Sequence, residues 1–146
     1  MTSERRPNNL VWFELPVSDL DRATHFYETV FATKLATDPR FPAIAMFPKK
    51  NESSVTGALA VFDGRKPSTD GAVVYLNCDG ELDAVVKRAK AAGAKLLEEV
   101  AQLPAGLGWT AQFRDPDGNR VGLQSVCGKR CWREGPDAGH GEGSLR

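Results

Sequence analysis

The chain has 146 residues, enough for one domain with a substantial core. Lys and Arg (19) balance Asp and Glu (19), so the basic surplus on which nucleic-acid binding draws is missing. No apolar run approaches the roughly 18 residues of a membrane span, and 41% hydrophobic with 26% charged residues is the balance of a globular protein.

The first nine residues are polar. Pro7-Asn8-Asn9 follows Arg5-Arg6 where a twin-arginine signal needs hydrophobic residues, so a cytoplasmic location is expected. Leu10–Val17 reads as a strand, with Val11, Phe13, Leu15 and Val17 alternating against Trp12, Glu14 and Pro16. Ser18-Asp19-Leu20-Asp21 has the form of a capping box, with Ser18 as the cap. Leu20, Ala23, Phe26, Tyr27, Val30 and Phe31 then form one stripe of an amphipathic helix. His25 lies beside that stripe, as a boundary or surface residue. Strand-like stretches follow near Lys34–Thr37, Ala43–Phe47 and Thr56–Phe62, separated by prolines and the polar run Lys49–Ser54.

Asp63 to Gly71 reads as a linker, after which the order repeats. Ala72–Cys78 is strand-like and Asp79 is a candidate cap. Leu82, Val85, Val86 and Ala89 mark a second helix ending before Gly93. Lys95–Val100, Gly108–Arg114 and Arg120–Ser125 read as strands, the last two joined by the turn Asp115-Pro116-Asp117-Gly118. Leu20 and Leu82, and Lys34 and Lys95, stand at matching places in the two halves. The repeat is one of element order with little residue identity. From Cys127 the composition turns polar and Gly-rich, which predicts a flexible tail with Trp132 its one bulky residue. Cys78, Cys127 and Cys131 are an odd set without framework spacing, read as free thiols of a reducing compartment. Cys127 and Cys131 with His140 make only a weak metal-clip pattern.

Trp12-Phe13-Glu14-Leu15-Pro16-Val17-Ser18-Asp19-Leu20, continued by Phe26-Tyr27 and Val30-Phe31, resembles the opening segment of the vicinal-oxygen-chelate superfamily, which includes glyoxalases and bleomycin-resistance proteins. Asp115-Pro116-Asp117-Gly118-Asn119-Arg120-Val121-Gly122-Leu123 is similar to its closing hairpin. The resemblance implies an α+β fold: two tandem βαβββ modules forming a curved sheet, or cup, with helices packed outside. The domain is then residues 10–126, with modules at about 10–63 and 72–126, a polar segment 1–9 before it and a tail 127–146 after it. Strand alternation should turn Val11, Phe13, Leu15, Val17, Val74, Leu76, Val121 and Leu123 to the helices. Trp12, Glu14, Val73, Tyr75, Asn77, Arg120, Gly122 and Gln124 should face the cup.

Enzymes of that superfamily commonly hold a divalent metal with four cup-facing His or Glu side chains, and the ion stabilises developing enolate charge. The corresponding positions here fall on Trp12, Val73 and Gly122, with the fourth among Ala58, Leu59 and Ala60. None of these side chains ligates a metal. No metal and no other cofactor is therefore expected.

Glu14 remains as the candidate general base, since a carboxylate desolvated in the cup would suit that work. A structural ion pair, for example with Arg120, is the competing role for Glu14. Trp12, Tyr75, Asn77, Gln112 and Gln124 are the candidate ligand-binding residues: the ring of Trp12 can stack and the others can hydrogen-bond. Two functions follow. One is a metal-independent small-molecule binder, and the other a lyase or isomerase related to lactoylglutathione lyase. The resemblance also implies a homodimer, and strands such as Gly57–Phe62 offer apolar edges for one.

Overall fold

The computed structural model describes residues 8–127. Of the tail expected at 127–146, all but Cys127, including Cys131, Trp132 and His140, lies outside the described residues. The elements run β1 (Trp12–Pro16), α1 (Leu20–Phe31), β2 (Ala36–Asp38), β3 (Phe41–Met46) and β4 (Thr56–Ala60), then β5 (Val74–Asn77), α2 (Leu82–Ala91), β6 (Lys95–Gln102), β7 (Trp109–Arg114) and β8 (Arg120–Ser125). They form two four-stranded sheets of identical topology, β1-β4-β3-β2 and β5-β8-β7-β6. In each, the first strand pairs in parallel with the last, β1 with β4 and β5 with β8. This is the βαβββ pair expected from the element order.

The apolar faces of both helices and one face of each sheet meet in a single core. Phe26, Tyr27, Val30, Leu82, Val85, Phe113, Val121 and Leu123 are all buried in it. Each aliphatic or aromatic side chain removed from water there contributes about 1.5–3 kcal/mol. Leu15, Val17, Val121 and Leu123 are buried as the alternation requires, but Val11 precedes β1 and is exposed. β4, whose apolar run promised a free edge, instead lies between β1 and β3, and all five of its residues are buried. The edges are β1 and β2 in one sheet, β5 and β6 in the other. Gly57 in β4 leaves room for its neighbour: a Cβ there would lie 2.2 Å from the Phe13 carbonyl oxygen. Among the described residues no helix is long and apolar enough to cross a membrane.

Both predicted caps move. Asp19, not Ser18, caps α1, its Oδ1 accepting the Arg22 amide at 3.0 Å. At α2 the cap position is Glu81, with no side-chain cap bond, while Asp79 Oδ1 accepts the Val126 amide at 2.6 Å. Each substitution has the same reason. Ser18 is drawn into contact with Asp117 of the β7–β8 turn and Asp79 with Val126 just after β8, which the local capping pattern does not register. Gly93 does close α2, at φ 101°.

Ser18 meets the β7–β8 turn. Its amide (3.0 Å) and hydroxyl (2.9 Å) donate to Asp117 Oδ1, which also accepts Arg22 Nη2 at 2.7 Å. Beside it, Asp115 is buried, and its Oδ1 accepts the amides of Asp117, Gly118 and Asn119. Its Oδ2 accepts the Tyr27 hydroxyl at 2.6 Å. Asn119 Nδ2 reaches back to the Pro16 carbonyl at 2.7 Å. The turn of the second module is thereby clasped to the β1–α1 junction of the first. Burial, reinforced by the Asp115 charge, pushes the Tyr27 phenol well above its ordinary pKa, so it stays a neutral donor.

Tyr27→Phe is expected to cost about 1–2 kcal/mol, the loss of one buried hydrogen bond. Asp115→Ala strands several buried donors together and is expected to cost about 3–5 kcal/mol. Urea unfolding of the two variants checks the order, and a smaller loss for Asp115→Ala would show that the clasp does not hold the modules together.

Candidate functional site

The sheet faces turned away from the helices carry the candidate residues. In the second sheet, Tyr75 (β5), Gly122 (β8) and Gln112 (β7) stand side by side in register. Gly122 is the reason Tyr75 can lie flat there. A Cβ at Gly122 would come within 2.4 Å of Tyr75 Cδ1, so the ring occupies the space that a side chain would need. Gln112 is buried and bridges two neighbours, Nε2 donating to the Tyr75 hydroxyl at 2.5 Å and Oε1 accepting Arg120 Nη1 at 2.7 Å. Arg120 Nε donates to the Thr69 carbonyl at 3.1 Å.

In the first sheet, Trp12 Nε1 donates to Glu14 Oε2 at 3.1 Å. Glu14 Oε1 is paired with Arg65 Nη1, and the Arg65 guanidinium lies 4.7 Å from the Phe62 ring centroid. Glu14 does meet an arginine, and it is Arg65 of the linker. Arg120 is engaged with Gln112 instead. No local spacing joins Glu14 to Arg65 across 51 positions, and the linker composition gave no reason to single that arginine out. The hint available was Phe62 three residues before Arg65, a spacing that suits a cation over a ring.

The remaining candidates are used differently. Asn77 Oδ1 accepts the Asp79 amide at 2.8 Å, closing a local turn, and Gln124 Nε2 donates to the Leu107 carbonyl at 2.8 Å. The structure thus brings Tyr75 together with Gln112, and Trp12 with Glu14, while Asn77 and Gln124 each serve a neighbouring loop. A separate depression of about 360 Å³ lies by the end of α1, lined by His25, Glu28, Thr29, Ala32, Thr33 and Lys34.

A divalent ion does not suit the donors on these faces. Trp12 and Gly122 stand on the strands named for ligands, Val73 lies just before β5, and Ala58 and Ala60 are buried in β4. The Tyr75 ring bars a longer side chain at position 122, and both Glu14 oxygens are already bonded. Among the described residues no three His, Cys, Asp or Glu side chains gather as a metal site would require.

The sequence model of the Glyoxalase/Bleomycin resistance protein/Dioxygenase superfamily matches residues 9–123. This chain belongs to that superfamily. Solved structures agree on the fold. A glyoxalase/bleomycin resistance protein from Albidiferax ferrireducens superposes with a TM-score of 0.68 at 16% identity, covering 81% of this chain and 98% of its own. A superfamily member from Sphaerobacter thermophilus gives 0.61 at 23% identity, over 81% and 97%. A glyoxalase I variant from Zea mays gives 0.60 at 26% identity over 82% of this chain, which spans 47% of the maize chain. No curated protein matches.

The cysteines of this superfamily member divide. Cys127 is disulfide-bonded, which corrects the reading of three free thiols and removes the cysteine count as an argument for a reducing compartment. Cys78 is free and buried, and burial pushes its thiol up to about 12. Above the ordinary thiol pKa the unfolded chain can release this proton while the folded chain holds it, so deprotonation favours unfolding. The stability present below the ordinary thiol pKa is therefore lost as pH rises toward about 12. Cys78 should accordingly resist iodoacetamide at pH 8 in the native protein and react only on unfolding. Mass spectrometry of the alkylated native chain checks this, and rapid native modification at Cys78 would show an opening that the packing does not allow.

Proposed function

We propose that this protein binds a small organic molecule on the sheet faces opposite the helices, without a metal, and that it does so as a homodimer. The observation that carries the reading is the Tyr75–Gln112 pair. A half-exposed aromatic ring lies over a glycine with a buried amide bonded to its hydroxyl, which is how a face is prepared for a ligand with both an apolar and a polar part. Trp12, its indole oriented by Glu14, gives the first module a second exposed ring. The unsuitable donors at the ligand positions support independence from metal. Leu10, Val11, Phe41, Val61 and Phe62 are exposed on the same module, an apolar surface that a second copy would cover.

A lyase or isomerase related to lactoylglutathione lyase is the second reading, favoured by the likeness to maize glyoxalase I. Glu14 would be its base, and its pairing with Arg65 would have to open first. Replacement of Glu14 by Gln separates the two readings. In a binder it leaves ligand affinity within a few-fold, while in an enzyme it abolishes turnover.

After dialysis against zinc, nickel, manganese or iron(II), a native mass spectrum of the full chain is expected to show a dimer of metal-free protomers. Tyr75→Ala should weaken a co-purified ligand by about 1–3 kcal/mol without unfolding the domain. Stoichiometric metal with a raised melting temperature would overturn the metal-independent reading, and a monomer at micromolar concentration would overturn the dimer.

A further inference from the structure

Three cations stand in one row across the second sheet. Lys95 on β6 is registered with Arg114 on β7, and Arg114 with Arg120 on β8. All three point away from the helices, because their strand neighbours Phe113 and Val121 are fully buried in the core. Like charges directly opposite one another destabilise a sheet. Among the described residues none of the three is in an ion pair. The acidic group registered closest, Glu98 opposite Gln112, is exposed and has no ion-pair partner among the described residues either.

The hydrogen-bond directions say where an anion would sit. A guanidinium has only donors, so the Gln112 atom facing Arg120 must be its carbonyl oxygen, and the Gln112 amino group must then face Tyr75. The Tyr75 oxygen therefore accepts, and its own proton is directed away from Gln112. Arg120 is half-buried, with Nε and Nη1 given to neutral oxygens, while Nη2 has no acceptor among the described residues. Two donors are left over, the Tyr75 O–H and the Arg120 Nη2 group, on either side of one buried glutamine.

We propose that Arg120 and Tyr75 form a carboxylate-binding subsite, so that the ligand of this protein is a small organic acid whose apolar body lies along the Tyr75 ring. A carboxylate has two oxygens for two donors, and its charge would relieve the row of cations. The proposal rests on the ligand-binding reading above and narrows it to a chemical class.

Benzoate, benzyl alcohol and phenyl phosphate are the probes, titrated at matched ionic strength and followed by NMR at the Arg120 Nε–H and at the Tyr75 and Trp12 rings. Benzoate is expected to move the Arg120 and Tyr75 signals and to bind about tenfold or more tightly than benzyl alcohol, the usual advantage of charge-assisted bonds. Arg120→Gln should remove that advantage, and its urea-unfolding midpoint, compared with the parent, shows the variant to be folded. Arg120→Lys, which keeps the charge without the planar fork, should retain part of it. Equal affinity for benzoate and benzyl alcohol, or an unchanged preference in Arg120→Gln, overturns the subsite and leaves the ligand-binding reading standing. Tighter binding of phenyl phosphate than of benzoate overturns the carboxylate assignment. If no probe moves the Tyr75 or Trp12 signals, the ligand-binding reading falls, and the subsite with it.

Discussion

Asp115 is the group on which the two halves depend. Five donors converge on its carboxylate: three successive amides of its own turn, the side chain of Asn119 and the hydroxyl of Tyr27 from the opposite module. A buried carboxylate is tolerable only when its oxygens are so satisfied. The arrangement also obliges the turn, α1 and β1 to keep one relative position. Phe26 and Phe113 can then pack edge to face, with ring centroids 5.8 Å apart. The helices are tied in turn by Arg88 of α2, whose Nε donates to the Val30 carbonyl of α1 at 2.8 Å.

Most of this architecture could be read from residue periodicity. The stripe from Leu20 to Phe31, the matching pattern from Leu82 and the alternation of Arg120–Ser125 are all local signals, and local signals survive folding when the core accepts them. The strand ends shifted because they depend on pairing partners. β2 was displaced from Lys34–Thr37 to Ala36–Asp38, where it finds β3, and β4 stopped at Ala60, where β1 stops. The caps failed for a related reason. Ser18 and Asp79 have good local offers, but each meets a partner tens of positions away that a one-dimensional pattern does not reveal.

The face opposite the helices was less legible. Alternation placed Trp12, Glu14, Tyr75, Gly122 and Arg120 on it, yet the pairing among them was hidden. Arg120 found Gln112 on the neighbouring strand, and Glu14 found Arg65, because the linker from Asp63 to Gly71 threads past both sheets. Arg65 reaches one, while the Ser68 and Thr69 carbonyls receive the Arg120 backbone and side chain in the other. Gly122 carries two meanings together. It offers no side-chain donor to the face, and it makes the space in which Tyr75 lies.

The parallel pairing of the first and last strands of each module has a bearing on synthesis. β1 has no sheet partner until β4 has been made, and β5 waits in the same way for β8, so each sheet closes only when its final strand arrives. The first module can complete its sheet once residue 60 has left the ribosome, yet the partner of its Tyr27 hydroxyl emerges only more than fifty residues later. A nascent first module therefore has half of its core unfilled and a core-facing phenol that must be hydrated or exposed. The repeat looks symmetric in the finished fold, but during chain growth the first half waits for the second.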